Sequence, residues 1–123
     1  MSINCCVVRG ELSSAPELRV LASGTEIVAL QITTRPDGGA ALSVPVSLVD
    51  PPQWVVTLEV GDEVVAFGNV RRRFFRAGVT TASRVEIAAS IVARASDKRA
   101  VKRIQRLSFA AAESITEPVA AVR

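Results

Sequence analysis

The residues best suited to chemistry lie in one stretch, residues 61–76, which ends in four arginines and two phenylalanines. Because side chains alternate along a strand, Arg71, Arg73 and Phe75 share one face of it. Small apolar residues at the start of the stretch occupy the other face and are suited to a core. Guanidinium groups bind phosphates, and an open ring stacks on a base that has no pairing partner. The pattern predicts a surface for an unpaired polynucleotide, although a strand whose end is simply solvated explains the same residues.

The composition indicates one globular domain of modest positive charge. The chain has 123 residues, and 49% of them are hydrophobic, which suffices for a core and excludes a disordered chain. A net charge of +3 permits a polyanionic partner without requiring one. Aromatic residues make up only 4% of the chain, and this low share argues against binding that depends on stacking alone.

Catalytic and metal-binding patterns are missing from the sequence. The chain contains no histidine and only two cysteines, which argues against a zinc site within one chain. It also has no phosphate-binding glycine loop and no nucleophile beside a base. The carboxylates are scattered at turns, where solvation explains them. We therefore predict a protein that is not an enzyme and that binds no cofactor or metal.

The two cysteines and the apolar runs bear on the cellular compartment. Cys5 and Cys6 are neighbours whose side chains point to opposite faces of a strand, so a disulfide between them would be strained. We interpret them as small core-type residues in a reducing compartment. No apolar run reaches the length of a membrane span, and the N-terminus lacks the pattern of a signal peptide. We therefore expect a cytoplasmic protein with no membrane partner.

Runs of β-branched residues separated by turn signals predict five strands and one short helix. The helix falls between the third and fourth strands, and no alternation of helices with strands supports a parallel sheet. This order is typical of the OB-fold, an all-β barrel of five strands, which we predict for residues 1–95. The predicted strands cover residues 3–12, 26–34, 41–49, 61–76 and 79–94, with a short extended piece at 16–21 and the helix at 53–59.

Individual residues predict local features of this barrel. Gly10 would permit a bulge or a close backbone approach. Pro45, inside the third strand, argues for an edge or a bulge there. Asp50 would cap the short helix, and Gly61 would end it. The turn between the last two strands is predicted at 77–78, and the last strand is expected to break near residues 88–90.

After residue 95 the composition changes to that of a basic amphipathic helix, followed by a frayed tail at 117–123. Ser96 and Asp97 can cap this helix. At 100° per residue, its apolar and basic residues gather on opposite sides. The apolar side would pack on the barrel or on a second subunit, and the basic side is either solvated or contacts phosphates, a membrane surface or another acidic partner. The apolar side comprises Val101, Ile104, Ala111, Ala112 and Ile115, and the basic side comprises Arg99, Lys102, Arg103 and Arg106.

Several motifs, taken in order, resemble those of bacterial single-stranded DNA-binding proteins. They are Asn4, Gly10 and Leu12, then Pro16-Glu17-Leu18-Arg19 with Ser23-Gly24, then Gly61-Asp62-Glu63-Val64, Gly68-Asn69-Val70-Arg71-Arg72-Arg73-Phe74-Phe75 and Val85-Glu86-Ile87. The resemblance covers residues 3–94. It implies an OB-fold, assembly through the sheet into dimers or tetramers, and binding of single-stranded DNA around the outside. It also implies that Arg71 and Arg73 face phosphates, that Phe75 stacks on a base and that Arg19 is a further cation.

Departures from that family indicate a divergent paralogue. Ser43 and Val49 stand where the family has aromatic residues, and Trp54 lies in the predicted helix, where packing explains it. Phe67 is either a replacement ring or a subunit contact. Each stacked base contributes about 1–3 kcal/mol, so lost rings weaken binding unless cations compensate. The binding that remains would be unusually sensitive to salt.

Two functions remain open at this point. The first is sequence-tolerant binding of single-stranded DNA in replication or repair. The same residues could bind RNA. The second is an OB-fold assembly or adaptor protein that binds protein partners and has lost most affinity for DNA. The arginine run favours the first, which we adopt, and the low aromatic share favours the second. The chain ends in Val122-Arg123 rather than in the family's acidic tip, so we expect no recruitment of repair partners through such a tip. The candidate binding residues are Arg19, Arg35, Arg71, Arg72, Arg73, Phe75, Arg76 and Arg84.

Overall fold

The computed structural model describes residues 2–119, and within them six strands and two α-helices follow one another along the chain. The strands are β1 (Cys6–Leu12), β2 (Glu17–Val20), β3 (Glu26–Thr34), β4 (Leu42–Val49), β5 (Glu63–Ala77) and β6 (Thr80–Arg94). The helices are α1 (Gln53–Val56) and α2 (Lys98–Glu113), with short 3-10 segments at Pro36–Gly38 and Ser114–Thr116.

Five of the strands close into a ring. The sheet order is β1-β5-β6-β4-β3, and the end of β1 pairs again with β3 to complete the circle. The pairings are antiparallel except for the parallel pair of β4 with β6. The predicted extended piece at 16–21 is strand β2, which adds to the free edge of β3. The predicted all-β OB-fold barrel, with a short helix between its third and fourth strands and a helix after it, is confirmed.

Alternation along the strands fills the barrel with aliphatic side chains. On β3, Val28, Leu30 and Ile32 are buried while the residues between them face outward. The same alternation continues on the other barrel strands, and α1 places Val55 against one end of the core. Trp54 packs against this core as predicted, with the guanidinium carbon of Arg94 5.2 Å from its ring centroid. The remaining core side chains include Val8, Leu12, Val46, Leu48, Leu58, Val64, Ala66, Ile87 and Val92.

Gly10 lies at the seam where the barrel closes. Strand β1 pairs with β5 from Cys6 to Glu11, and its last residues pair with β3. A Cβ atom on Gly10 would overlap the backbone carbonyl of Thr33, so only glycine lets the two strands meet there. The predicted close backbone approach is present.

Asn4 extends the pairing of β1 with a side chain. Its Nδ2 donates to the carbonyl of Val70 at 2.8 Å, and its Oδ1 accepts from the amide of Val70 at 2.9 Å. The main-chain ladder between β1 and β5 stops at the pair of Cys6 with Gly68. The amide of Asn4 therefore takes the place of the next strand residue on the outer edge of β5.

The short helix and its flanks differ from the prediction. Helix α1 covers Gln53–Val56 instead of 53–59, and its N-cap is Pro52, which makes no side-chain cap. Asp50 has a left-handed backbone (φ 51°), and its amide donates to the carbonyl of Glu26 at 2.8 Å. Asp50 therefore ends β4 and does not cap α1. Gly61 (φ 94°) lies beyond the helix and turns the chain towards β5.

Two predicted irregularities have different outcomes. Pro45 does not mark an edge, because β4 lies between β3 and β6; its ladder with β6 begins only at Val46, so the proline lies just outside that ladder. The break predicted near 88–90 is present only as a bulge, because β6 continues through these residues as one strand. Phe67 pairs with Ile91 and Gly68 pairs with Ala89, which leaves Ser90 as the extra residue of a bulge.

The two cysteines have different environments. Cys5 is exposed, which differs from the core-type role predicted for it, whereas Cys6 is half-buried against the barrel core. Burial raises the pKa of the Cys6 thiol, and its neighbour Cys5 raises this pKa further.

Helix α2 packs on the outward side of β5 and β6. Asp97 caps its N-terminus by accepting from the amide of Ala100 at 3.2 Å. Ile104 is buried together with Val65 of β5 and Ala93 of β6, and Phe67 packs at the border of this cluster. Of the predicted apolar side, Val101 and Ile104 make these contacts, whereas Ala112 and Ile115 are exposed.

None of the helices in residues 2–119 is both long and apolar enough to cross a bilayer. The predicted frayed tail at 117–123 lies partly outside the described residues.

We expect the docking of α2 to contribute to the stability of the whole fold. Ile104→Ala removes a buried side chain from the contact with Val65, and we expect it to lower the free energy of unfolding by about 2–5 kcal/mol. Ile115→Ala, at an exposed position in the 3-10 segment that follows α2, is the control with the same substitution and should change it by less than about 0.5 kcal/mol. Urea denaturation of both variants measures the difference, and equal effects would contradict the docking.

Candidate nucleic-acid interface

A groove follows the outward face of the sheet, where side chains that alternate with the core residues project. Strands β3 and β4 supply a mostly apolar wall with Ile27, Ala29 and Pro45. Strands β5 and β6 supply a charged wall, and the cavity volume between the two walls is about 100 Å³. The charged wall and its surroundings comprise Arg19, Arg71, Arg73, Arg84 and Glu86.

Strand register brings these residues together. Across the β5–β6 hairpin, Arg71 lies opposite Glu86 and Arg73 lies opposite Arg84. Arg19 of β2 pairs with Ile27 of β3, which places a further guanidinium at the opposite rim. Directly opposite residues on one face have Cβ atoms about 5 Å apart, so their side chains interact. The groove therefore concentrates four arginines that are far apart in the sequence.

Phe75 continues the charged wall towards the tip of the hairpin. It lies opposite Ala82, and this small partner leaves the ring 42% exposed. A neighbouring depression is lined by Phe75 together with Arg19, Arg73 and Arg84. The arrangement offers an open aromatic face within reach of three cations, which suits a stacked base whose phosphates need neutralising.

Glu86 is the central contact of the charged wall. Its side chain is only 3% exposed, although it projects outward, because neighbouring side chains cover it. Its Oε2 accepts from the hydroxyl of Ser47 at 2.7 Å and from Nη2 and Nε of Arg71 at 3.1 and 3.3 Å. Nη1 of Arg73 lies 3.8 Å from its Oε1. Glu86 therefore holds two guanidinium groups side by side, and the groove keeps a net charge of +3 from four arginines and one carboxylate.

Three of the predicted binding residues lie elsewhere. Arg72 and Arg76 project from the opposite face of the hairpin, and Nη1 of Arg72 donates to the hydroxyl of Ser83 at 2.9 Å. Arg35 is exposed just before the 3-10 segment that connects β3 to β4, and it does not line the groove. The structure thus brings together Arg19, Arg71, Arg73, Phe75 and Arg84, and it does not bring Arg35, Arg72 or Arg76 to them.

Ser47 and Glu86 were missed as site residues, although the sequence contained a signal for one of them. Alternation on the last strand puts Glu86 on the face opposite to buried Ile87, so it was a candidate for the arginine face. Ser47 gave no comparable signal, because a lone hydroxyl on an outward strand position is ordinary. Phe67, considered as a replacement ring, packs beside α2 and does not line the groove.

At the two positions where the family named in the sequence analysis has aromatic residues, this chain has the smaller side chains of Ser43 and Val49. Ser43 donates from its hydroxyl to Oε1 of Gln31 at 3.0 Å, which ties β4 to β3 on the outward face. Val49 lies opposite Ile27 at the other end of the same strand pair. The apolar wall of the groove is therefore aliphatic, and Phe75 is the one aromatic ring along the groove and its neighbouring depression within residues 2–119.

Comparison with known proteins supports the fold and leaves the activity to be argued from the site. No protein-family model and no curated protein sequence matches the chain. Among solved structures, the chain is similar to the single-stranded DNA-binding protein from Thermus aquaticus, with a TM-score of 0.64 and 19% sequence identity. The match covers 76% of this chain and 41% of that one, so it spans less than half of the neighbour's length. A likeness at this level of identity shows the OB-fold.

We expect Ser47 to stabilise the charged wall, because it solvates a buried carboxylate. Ser47→Ala removes a 2.7 Å hydrogen bond to Glu86, and we expect it to lower the free energy of unfolding by about 1.5–3 kcal/mol. Ser43→Ala, on the same strand but in an exposed hydrogen bond, should change it by less than about 0.5 kcal/mol. Chemical denaturation compares the two, and a small effect of Ser47→Ala would mean that Glu86 is not buried in solution.

Proposed function

We propose that the protein binds single-stranded DNA without sequence preference, through the groove on the outward face of its barrel. The observation that carries the proposal is the convergence of four arginines and the open ring of Phe75 around that groove and its neighbouring depression. Cations that follow a strand together with a stacking ring are what sequence-tolerant binding of unpaired nucleic acid requires. RNA can make the same contacts, because arginines on phosphates and a ring on a base do not distinguish ribose from deoxyribose.

Glu86 gives the phosphate-binding groups a fixed geometry. Because Arg71 meets Glu86 through Nε and Nη2, its remaining N–H groups are free to donate to a phosphate. About half of the Arg71 side chain and a third of the Arg73 side chain are exposed, so a backbone can reach both. Guanidinium groups that are already held in place lose less rotamer freedom on binding than solvated ones. This smaller entropy cost partly offsets the attraction for phosphate that is lost because Glu86 neutralises part of the positive charge.

Binding of this kind depends strongly on salt. One stacking ring contributes about 1–3 kcal/mol, so electrostatic contacts must supply most of the affinity. Each phosphate neutralised on a single strand contributes about −0.7 to the slope of log K against log salt concentration. The four groove arginines therefore imply a slope approaching about −3, less the share that Glu86 neutralises.

A protein-binding function is the second candidate, and the opposite face of the β5–β6 hairpin favours it. Val70, Phe74 and Val85 are exposed there, and Phe74 is the more open of the two adjacent phenylalanines at 67%. Exposed apolar residues that lie together on one face are typical of contacts with another protein or with a second copy of the chain. An assembly or adaptor protein, or a homodimer or homotetramer, would use this surface.

Two matched double variants test the groove. Arg71→Ala with Arg73→Ala removes two cations from it, and we expect a slope of log K against log salt that is shallower by about 1.4, because two phosphate contacts are lost. Arg72→Ala with Arg76→Ala removes the same charge from the other face of the same strand, and it should bind like the parent. Fluorescence titration with oligothymidine at several salt concentrations measures both. If the parent does not bind, or if the control weakens as much as the groove variant, the groove is not the site.

The two phenylalanines provide an independent test of stacking. Phe75→Ala should weaken binding by about 1–3 kcal/mol, and this loss should persist at high salt because stacking involves no counterion release. Phe74→Ala, one residue away on the opposite face, should leave DNA affinity unchanged. If Phe74→Ala instead changes the molar mass measured by light scattering, the hairpin face is a subunit contact.

A further inference from the structure

The basic side of helix α2 carries a cluster of positive charges that no acidic side chain of residues 2–119 pairs with. Residues 98–106 contain five cations, and the helix has no acidic residue before Glu113. Within residues 2–119, no carboxylate lies within 4 Å of any of these five. The five cations, which we call the α2 basic face, are Lys98, Arg99, Lys102, Arg103 and Arg106.

Their positions oppose helix stability in two ways. Lys98 with Lys102, Arg99 with Arg103, and Lys102 with Arg106 are like-charge neighbours four residues apart, a spacing that destabilises a helix. Lys98 and Arg99 also lie in the first turn of the helix, where the helix dipole disfavours cations. Local rules are broken in this manner chiefly at functional sites, where a ligand supplies the missing counter-charge.

Helix α2 is oriented with its basic face towards solvent. The helix packs through Ala100, Val101 and Ile104 on the barrel. At 100° per residue, Lys102 and Arg106 lie roughly opposite Ile104. Phe109 is exposed on the same side, one turn after Arg106, so the cation-and-ring combination of the groove is repeated here. Glu113 and Glu117 bound this surface at its C-terminal end.

The same packing argues against a membrane as the occupant. A helix that lies in a bilayer interface must insert its apolar face between the lipids. In α2 the centre of that face, Ile104, is already buried against Val65 and Ala93 of the barrel. A phosphodiester backbone requires no free apolar face, and it fits the exposed cations and the exposed ring.

The helix is also continuous with the groove. On β5, Phe67 borders the α2 contact and Arg71 lines the groove, and both occupy the same outward face. Phe67 and Arg71 are four positions apart along the strand, which is about 13 Å. A polynucleotide that leaves the groove at Arg71 therefore reaches the edge of α2 after a short stretch of backbone, and it contacts the basic face by continuing over the outer side of the helix.

We propose that the α2 basic face is a second binding surface for the same strand of single-stranded DNA that occupies the groove. This inference rests on the function proposed above. It implies that a strand long enough to leave the groove gains phosphate contacts on Lys102, Arg103 and Arg106, whereas a strand confined to the groove does not.

The test compares oligonucleotide lengths in the full chain. The test variant replaces Lys102, Arg103 and Arg106 together by Gln, which keeps the helix propensity and removes the charge. The control variant replaces the same three residues by the other basic residue (Lys102→Arg, Arg103→Lys, Arg106→Lys), which keeps the charge. Oligothymidines of about 8 and about 30 nucleotides serve as probes, the shorter being within the range that one OB-fold covers. For the long probe, we expect the triple Gln variant to bind at least about tenfold more weakly at low salt, with a slope shallower by about 2. We expect its affinity for the short probe to equal that of the parent, and the control to match the parent with both probes.

The possible outcomes separate this inference from the proposed function. If the parent binds neither probe, both fail. If the parent binds both probes and the triple Gln variant binds the long probe with parental affinity and slope, α2 is not a DNA surface and the groove remains one. The melting temperature of the Gln variant should equal or exceed that of the parent, because like-charge pairs are removed. A lower melting temperature together with weaker binding of both probes would overturn the inference, since the loss would then come from damage to the fold.

Discussion

A single extra residue in β6 determines what both halves of the β5–β6 hairpin present to the outside. Ser90 has no partner on β5, and its hydroxyl donates to the carbonyl of Phe67 at 3.2 Å. On one side of this bulge Ile91 and Ala93 face α2, and on the other side Arg84 and Glu86 face the groove. If Ser90 were instead paired in a regular ladder, alternation would continue through it, and one of the two sets would point into the barrel. The absence of a side chain on Gly68 makes the bulge possible, because a Cβ there would overlap the backbone of Ala88.

Regular alternation made most of the barrel predictable from the sequence. The period of two on residues 26–34 divides the side chains of β3 into two sets, of which the structure buries one, and on residues 61–76 it predicts the shared face of Arg71, Arg73 and Phe75. Both follow from local geometry, which neighbouring elements do not alter. An irregularity near residues 88–90 was also predictable, although the sequence indicated a break of the strand and not a bulge within it.

Cross-strand partners were not predictable, because they depend on the placement of one turn. A turn at 77–78, as predicted, would put Arg71 opposite Arg84 and leave Glu86 beyond it. In the structure Ala77 pairs with Thr80 and the turn lies at 78–79, with Gly78 in a left-handed conformation (φ 65°). This shift of one residue moves every partner by two positions, so Arg71 meets Glu86 instead of another cation. The cap predicted at Asp50 failed for a similar reason, because Asp50 is held by a backbone hydrogen bond to Glu26 that sequence patterns do not reveal.

The side-chain bridge from Asn4 to Val70 has a consequence for how the molecule avoids aggregation. An exposed edge of a sheet is a template for strands of other molecules, and β5 runs well beyond the end of β1. Asn4 makes hydrogen bonds to the amide and the carbonyl of Val70, so it satisfies the first backbone groups of β5 that β1 leaves unpaired. The positions that follow carry Arg72, Arg73 and Arg76, whose charges repel a second copy aligned in register. We therefore expect these arginines to oppose fibril-like self-pairing of this edge.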